Sequence, residues 1–128
     1  MPRVVHFEIH GSDPERLVAF YGDLFEWQIT KWEGPIDYWL VGTGSGDPGI
    51  DGAILRRMGD PPAVGQAVNA YVCTVDVPDL DETLARAGRL GAEVAMPRMA
   101  VPGIGWLAYI RDPDENVLGL MQSDPTAA

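Results

Sequence analysis

The stretch VVHFEIHGSDPERLVAFYGDLFEW, residues 4–27, decides how this chain is read. Its first part, RVVHFEI (residues 3–9), is rich in Val and Ile and reads as a β-strand. GSDPER then breaks the pattern with two overlapping helix-start signals. Ser12 and Glu15 have the spacing of a capping box, and Asp13 before Pro14 reads as an N-cap followed by Pro at the first helical position. The helix PERLVAFYGDLF follows, with Leu17, Phe20, Tyr21 and Leu24 at helical spacing.

Working outward, strand-like runs come at residues 27–33, 37–44 and 52–58, and the Gly- and Asp-rich segment 46–52 reads as a turn. The Pro- and Gly-rich residues 59–66 read as a linker, after which the pattern restarts. NAYVCTVDV is a strand, and PDLDETLARAGRLG is a helix with Asp79 and Glu82 at cap spacing. AEVAMPRMA and WLAYIRD are strands, DPDEN is a turn, and VLGLMQ is a last strand. The reading is one α+β domain over residues 1–128, with module one at 3–58 and module two at 67–122. A polar tail, 123–128, is expected to fray. Each module reads as strand, helix and three strands, and Pro14 and Pro78, 64 residues apart, both open a helix. The chain is an internal repeat.

Composition limits the function classes. Net charge is −10 and the sequence pI is about 4.3. That balance argues against nucleic acid and anionic membrane surfaces, which need clustered Lys and Arg. The single cysteine, Cys73, excludes an internal disulfide and fits a reducing compartment. No apolar run near residue 1 suits a signal peptide or a membrane span, so a cytoplasmic location is expected.

The βαβββ repeat, AFYGDLFEW and RDPDENVLGLMQ together resemble the vicinal oxygen chelate superfamily, the glyoxalase, bleomycin-resistance and extradiol dioxygenase group. The resemblance runs from Val4 to Gln122. The one departure in the turn is Glu115, where the family usually has Gly. The resemblance implies that two βαβββ modules form a cupped mixed sheet with helices on its convex side. It also implies a ligand in the concavity, a divalent metal in the enzymes, and a homodimer.

The metal positions the family implies are largely missing. His6, fifteen residues before Tyr21, matches the first ligand. The second, an acid late in module one, falls in GAILRRM, which has none. The third falls on Ala70 and the fourth on Gly119. The expectation is therefore no metal and no other cofactor.

HFEIH itself places His6, Glu8 and His10 on one strand face. Residues two apart lie about 6.6 Å apart and residues four apart roughly 13 Å, so His6 and His10 do not share an ion. Glu8 with one histidine supplies at most two ligands, and Asp37, Asp47 and Asp51 read as turn or loop residues. The triplet reads better as a hydrogen-bonded polar floor, with the carboxylate expected to raise the pKa of either imidazole. Cys73, by strand parity, faces a helix and reads as a buried structural thiol. GTGSGDPG lacks the Lys and following helix of a phosphate loop. The Trp and Tyr of KWEGPIDYWLV and GIGWLAYI suit an apolar pocket as well as a core.

The expected function is a small organic molecule bound on the concave face by His6, Glu8, His10, Tyr38 and Trp106, without a metal. The acidic surface, like that of the bleomycin-binding members, suits a cationic ligand. Two alternatives stand beside it. One is a lyase, isomerase or dioxygenase using His6, Glu8 and His10. The other is a non-catalytic interaction or regulatory domain.

Overall fold

The computed structural model describes residues 2–114 and 116–128, so Glu115 lies outside the described residues. The chain divides into two compact units, one over residues 6–71 and one over residues 2–5 with 72–128. Both have the βαβββ order read from the sequence.

The first unit is built from β1 (Arg3–Gly11, whose residues 3–5 group with the other unit), α1 (Pro14–Phe25), β2 (Gln28–Lys31), β3 (Tyr38–Gly42) and β4 (Asp51–Arg56). β4 runs parallel to β1 and antiparallel to β3, and β2 pairs antiparallel with β3, giving the order β2-β3-β4-β1. Asp13 is the N-cap: its carboxylate accepts from the Arg16 amide, and Pro14 occupies the first helical turn. The helix stops at Glu26, which adopts a left-handed conformation with φ 59° and donates its N–H to the Gly22 carbonyl at 2.9 Å. Phe7, Ile9, Trp39, Val41 and Ile54 form the core, with Leu17, Val18 and Tyr21 of α1 packed on it. Gly52 has to be glycine, because a Cβ there would collide with the Phe7 carbonyl and ring.

The second unit repeats the plan with β5 (Val72–Asp76), α2 (Leu80–Arg89), β6 (Glu93–Val101), β7 (Gly105–Arg111) and β8 (Val117–Ser123). β5 is parallel to β8, and β7 is antiparallel to both β8 and β6. Val77, Leu80, Ala108, Ile110 and Leu120 are its core. The Asp112 carboxylate accepts the amides of Asp114 and Asn116 at 2.8 and 3.0 Å, which closes the turn before β8.

Three expectations change. Pro78 does not open α2. Asp79 is the cap, accepting from the Glu82 amide at 3.1 Å, and Leu80 is the first helical residue, so Pro78 lies outside. Asp51 is not a loop residue but the first residue of β4, level with His6. The tail does not fray. Asp124 N–H donates to the Ile104 carbonyl at 2.9 Å, the Ala127 carbonyl accepts from Gly103 at 3.0 Å, and Ala127 is buried. Among the described residues no helix is long and apolar enough to cross a membrane, which says nothing of strands.

Candidate functional site

Alternation along β1 sends Phe7 and Ile9 to the core, so His6, Glu8 and His10 face the other way. Trp39 and Val41 likewise fix β3, which turns Tyr38 and Leu40 to the same face as Glu8. The register joins His10, Leu55 and Tyr38 in one row across β1, β4 and β3. From there the Tyr38 ring reaches diagonally back to Glu8 and His6.

The result is a hydrogen-bonded chain. Tyr38 OH donates to Glu8 Oε2 at 2.8 Å, and His6 Nε2 lies 2.9 Å from the same hydroxyl. A phenol has one proton, and Glu8 takes it, so His6 Nε2–H is the donor to Tyr38. A neutral His6 in this tautomer keeps its lone pair on Nδ1. Glu8 is only 5% exposed, which for a carboxylate demands such a partner. Trp32 meets the Tyr38 ring edge-on at 5.8 Å, and its amide donates to the Tyr38 carbonyl at 2.8 Å.

His6 titrates below its ordinary value because burial disfavours the imidazolium. Glu8 and Asp51 pull the other way and are outweighed. For His6 this reverses the expectation of a raised imidazole. Asp51 is itself engaged, its carboxylate accepting the Thr43 amide at 2.9 Å.

Of the expected site residues, the structure brings His6, Glu8 and Tyr38 together. His10 shares their face and sits half-buried at the end of the row, outside the hydrogen-bonded chain. Trp106 is placed differently. It has the parity of Ala108 and Ile110 and packs against the second core, with Nε1–H donating to Asp124 at 3.0 Å. The aromatic side chain on the opposite face of β7 is Tyr109, level with Gly119, which in turn is level with buried Thr74. Cys73 faces the helix side with Val75, as parity indicated, but is half-buried rather than buried.

The sequence reading also passed over Arg57. Its amide donates to the Gly11 carbonyl at 2.8 Å and its Nη2 to the His10 carbonyl at 2.7 Å. The signal in GAILRRM is its second arginine, which strand alternation sets on the face of Asp51 and His6.

Among the described residues no three His, Cys, Asp or Glu side chains come together. At the family's fourth ligand position, a Cβ on Gly119 would lie 2.8 Å from Thr74 Oγ1 and 3.1 Å from the Tyr109 ring.

The profile of the Glyoxalase/Bleomycin resistance protein/Dioxygenase superfamily matches residues 3–120. The chain belongs to this superfamily. No curated protein matches it in sequence. Solved structures of the glyoxalase superfamily fold match it closely in shape. A hypothetical protein from Bacillus halodurans superposes with a TM-score of 0.69 at 9% identity, covering 99% of this chain and 98% of that one. Methylmalonyl-CoA epimerase from Streptomyces coelicolor, bound to 2-nitronate-propionyl-CoA, gives 0.65 at 18% identity over 98% and 97%. The Mn(II)-bound glyoxalase from Novosphingobium aromaticivorans gives 0.60 at 18% over 98% of this chain and 39% of that one. At such identities the likeness is one of fold.

Proposed function

We propose that this glyoxalase-superfamily chain binds a small organic molecule on the module-one face that carries His6, Glu8 and Tyr38, and does so without a metal. The observation that carries the reading is the His6–Tyr38–Glu8 chain. It presents an imidazole whose Nδ1 keeps a lone pair, anchored through Tyr38 to a buried carboxylate. A polar group of a ligand finds an acceptor at Nδ1, and Trp32 and Leu40 supply apolar neighbours.

The donor set does not fit the divalent ion that the superfamily's enzymes hold. Among the described residues no cluster of three His, Cys, Asp or Glu includes His6, and Gly119 has no room for a longer side chain. Glu8 points its Oε2 at a tyrosine hydroxyl instead.

The test is a panel of metabolites and antibiotics against the purified chain, followed by melting temperature. At least one compound is expected to stabilise the wild type and to lose that effect in His6→Asn and Tyr38→Phe. A panel with no stabilising compound, or with effects indifferent to both variants, overturns the reading. Dialysis against Mn, Ni and Zn salts is expected to leave only substoichiometric metal.

A second reading is catalysis by proton transfer. It is favoured by the lowered pKa of His6, which keeps the imidazole neutral, and so free to accept a proton, near neutral pH. An acidic C–H of the ligand would give its proton to Nδ1, leaving the electron pair on the ligand. The imidazolium would then be held by Tyr38 and Glu8. Two of the enzymes of like fold are an epimerase and a glyoxalase, which makes such chemistry worth testing. Exchange of ligand C–H for deuterium in heavy water, abolished by His6→Asn, is the expected sign.

The same proposal includes pairing of two copies. α1 leaves Phe20, Leu24 and Phe25 more than half exposed, an apolar surface that suits a partner. Sedimentation at two concentrations checks it.

A further inference from the structure

Arg57 is a cation on the His6 face, and the fold leaves it incompletely used. It follows directly on β4, and its amide continues the parallel ladder to Gly11. Alternation therefore gives it the parity of Asp51, Ala53 and Leu55, the residues level with His6, Glu8 and His10. Its Nη2 spends one hydrogen on the His10 carbonyl. Its Nε is buried and, among the described residues, has no hydrogen-bond partner. A guanidinium N–H shut away from both acceptor and water is a costly arrangement. The side chain as a whole is only half-buried, so a turn about its terminal bonds can bring the Nε–Nη edge out to a ligand.

That edge suits an oxyanion, and the smallest that fills it is a carboxylate. Nε–H and an Nη–H form a planar fork that fits the two oxygens of a carboxylate. His10, whose carbonyl takes the Nη2 hydrogen, carries its imidazole on the same face, a ring able to donate one N–H. From this position Leu55 and then Tyr38 follow along the row, and Glu8 lies two residues back along β1, about 6.6 Å away. A short organic acid, anchored at Arg57 and His10, would lay its carbon chain over Leu55 toward the Tyr38 side of the row.

We propose that the ligand of this face is a small organic carboxylate, and that Arg57, with His10, is the group that selects it. This rests on the reading that the His6 face binds small molecules. It departs from what the net charge alone suggests. A charge of −10 favours cations at long range, but salt screens that field within about 8 Å at physiological strength, and recognition is decided by the group in contact.

The experiment pairs acids with their amides. Pyruvate, lactate and propionate are titrated into the full chain alongside pyruvamide, lactamide and propionamide, with binding read by calorimetry and melting temperature. At least one acid is expected to bind about tenfold or more tighter than its amide, as a charge-assisted fork requires. Arg57→Gln is expected to bring acid and amide within about threefold of each other. Arg57→Lys keeps the charge and loses the fork. It is expected to weaken the acid about tenfold with the amide unchanged, and it decides the matter if the Gln variant does not fold. Acids no better than amides, no acid binding at all, or a preference that survives in the Arg57 variants overturns the proposal. If neutral compounds still bind and still depend on His6, the small-molecule reading stands and only the carboxylate is excluded.

Discussion

Glu8 and Thr74 hold the same place in the two modules. Each lies six residues before the first residue of its helix, each is buried, and each faces away from its module's core. Their surroundings differ. Glu8 is level with Ala53 and takes its partner from Tyr38, in the next row. Thr74 is level with Gly119 and then Tyr109, and the fit is so close that a single added carbon at Gly119 would meet both. One module spends this position on a charge and the hydrogen bonds that keep it. The other spends it on close packing of a neutral hydroxyl. A repeated fold thus need not repeat its chemistry, and of these two matched positions only the one in module one carries a carboxylate.

The sharpest way to break the contrast is to move the charge. Thr74→Glu places a carboxylate where Tyr109 and Gly119 leave no room. It is expected to cost about 3–5 kcal/mol in urea unfolding at neutral pH. A loss under about 1 kcal/mol would mean that the two positions are interchangeable. Tyr38→Phe removes the phenol that Glu8 and His6 share, and about 1.5–3 kcal/mol is expected to go with it. In a Glu8→Gln background the same change should cost less, and additive losses would dissolve the supposed chain. Gly119→Ala tests the packed row alone. About 1–3 kcal/mol is expected from overpacking, with recovery when Tyr109 is shortened to Leu.

The mildest effect concerns pH. Burial lowers the folded-state pKa of His6, so between its folded value and the unfolded value of about 6.5 the unfolded chain binds more protons. Stability is therefore full above the unfolded value and declines as pH falls toward the folded one. His6→Asn should flatten that decline. A slope unchanged by the substitution would place the titration elsewhere.

Much of the architecture was readable in local chemistry. Asp13 before Pro14 marked the start of α1 to the residue, because a cap and a ring-fixed φ are properties of the residues themselves. Parity set His6 and Glu8 on one face for the same reason. What could not be read depends on neighbours distant in sequence. Pro78 is the local exception: Asp79, at cap spacing with Glu82, is the cap and leaves the proline outside the helix. Trp106 suits a pocket by type, but its parity with Ala108 and Ile110 turns it to the core. The direction of the His6 shift needed the depth of burial, which no single strand reveals. Tyr38 met Glu8 only because β3 and β4 pair in one particular register. The resemblance carried the family, and the geometry altered what its site residues can be.

The final residues also matter beyond the fold. Arg98 lies 4.4 Å over the Trp106 ring and holds Asp81 at 2.5 Å, while Trp106 in turn holds Asp124. Asp124 then accepts from the Thr126 amide and hydroxyl, and Ala127 is tucked under. The segment works as a latch on β7. Trimming the chain after Gln122 would uncover the indole and leave its N–H to water, so an affinity tag is better carried past Ala128 than substituted for the last six residues.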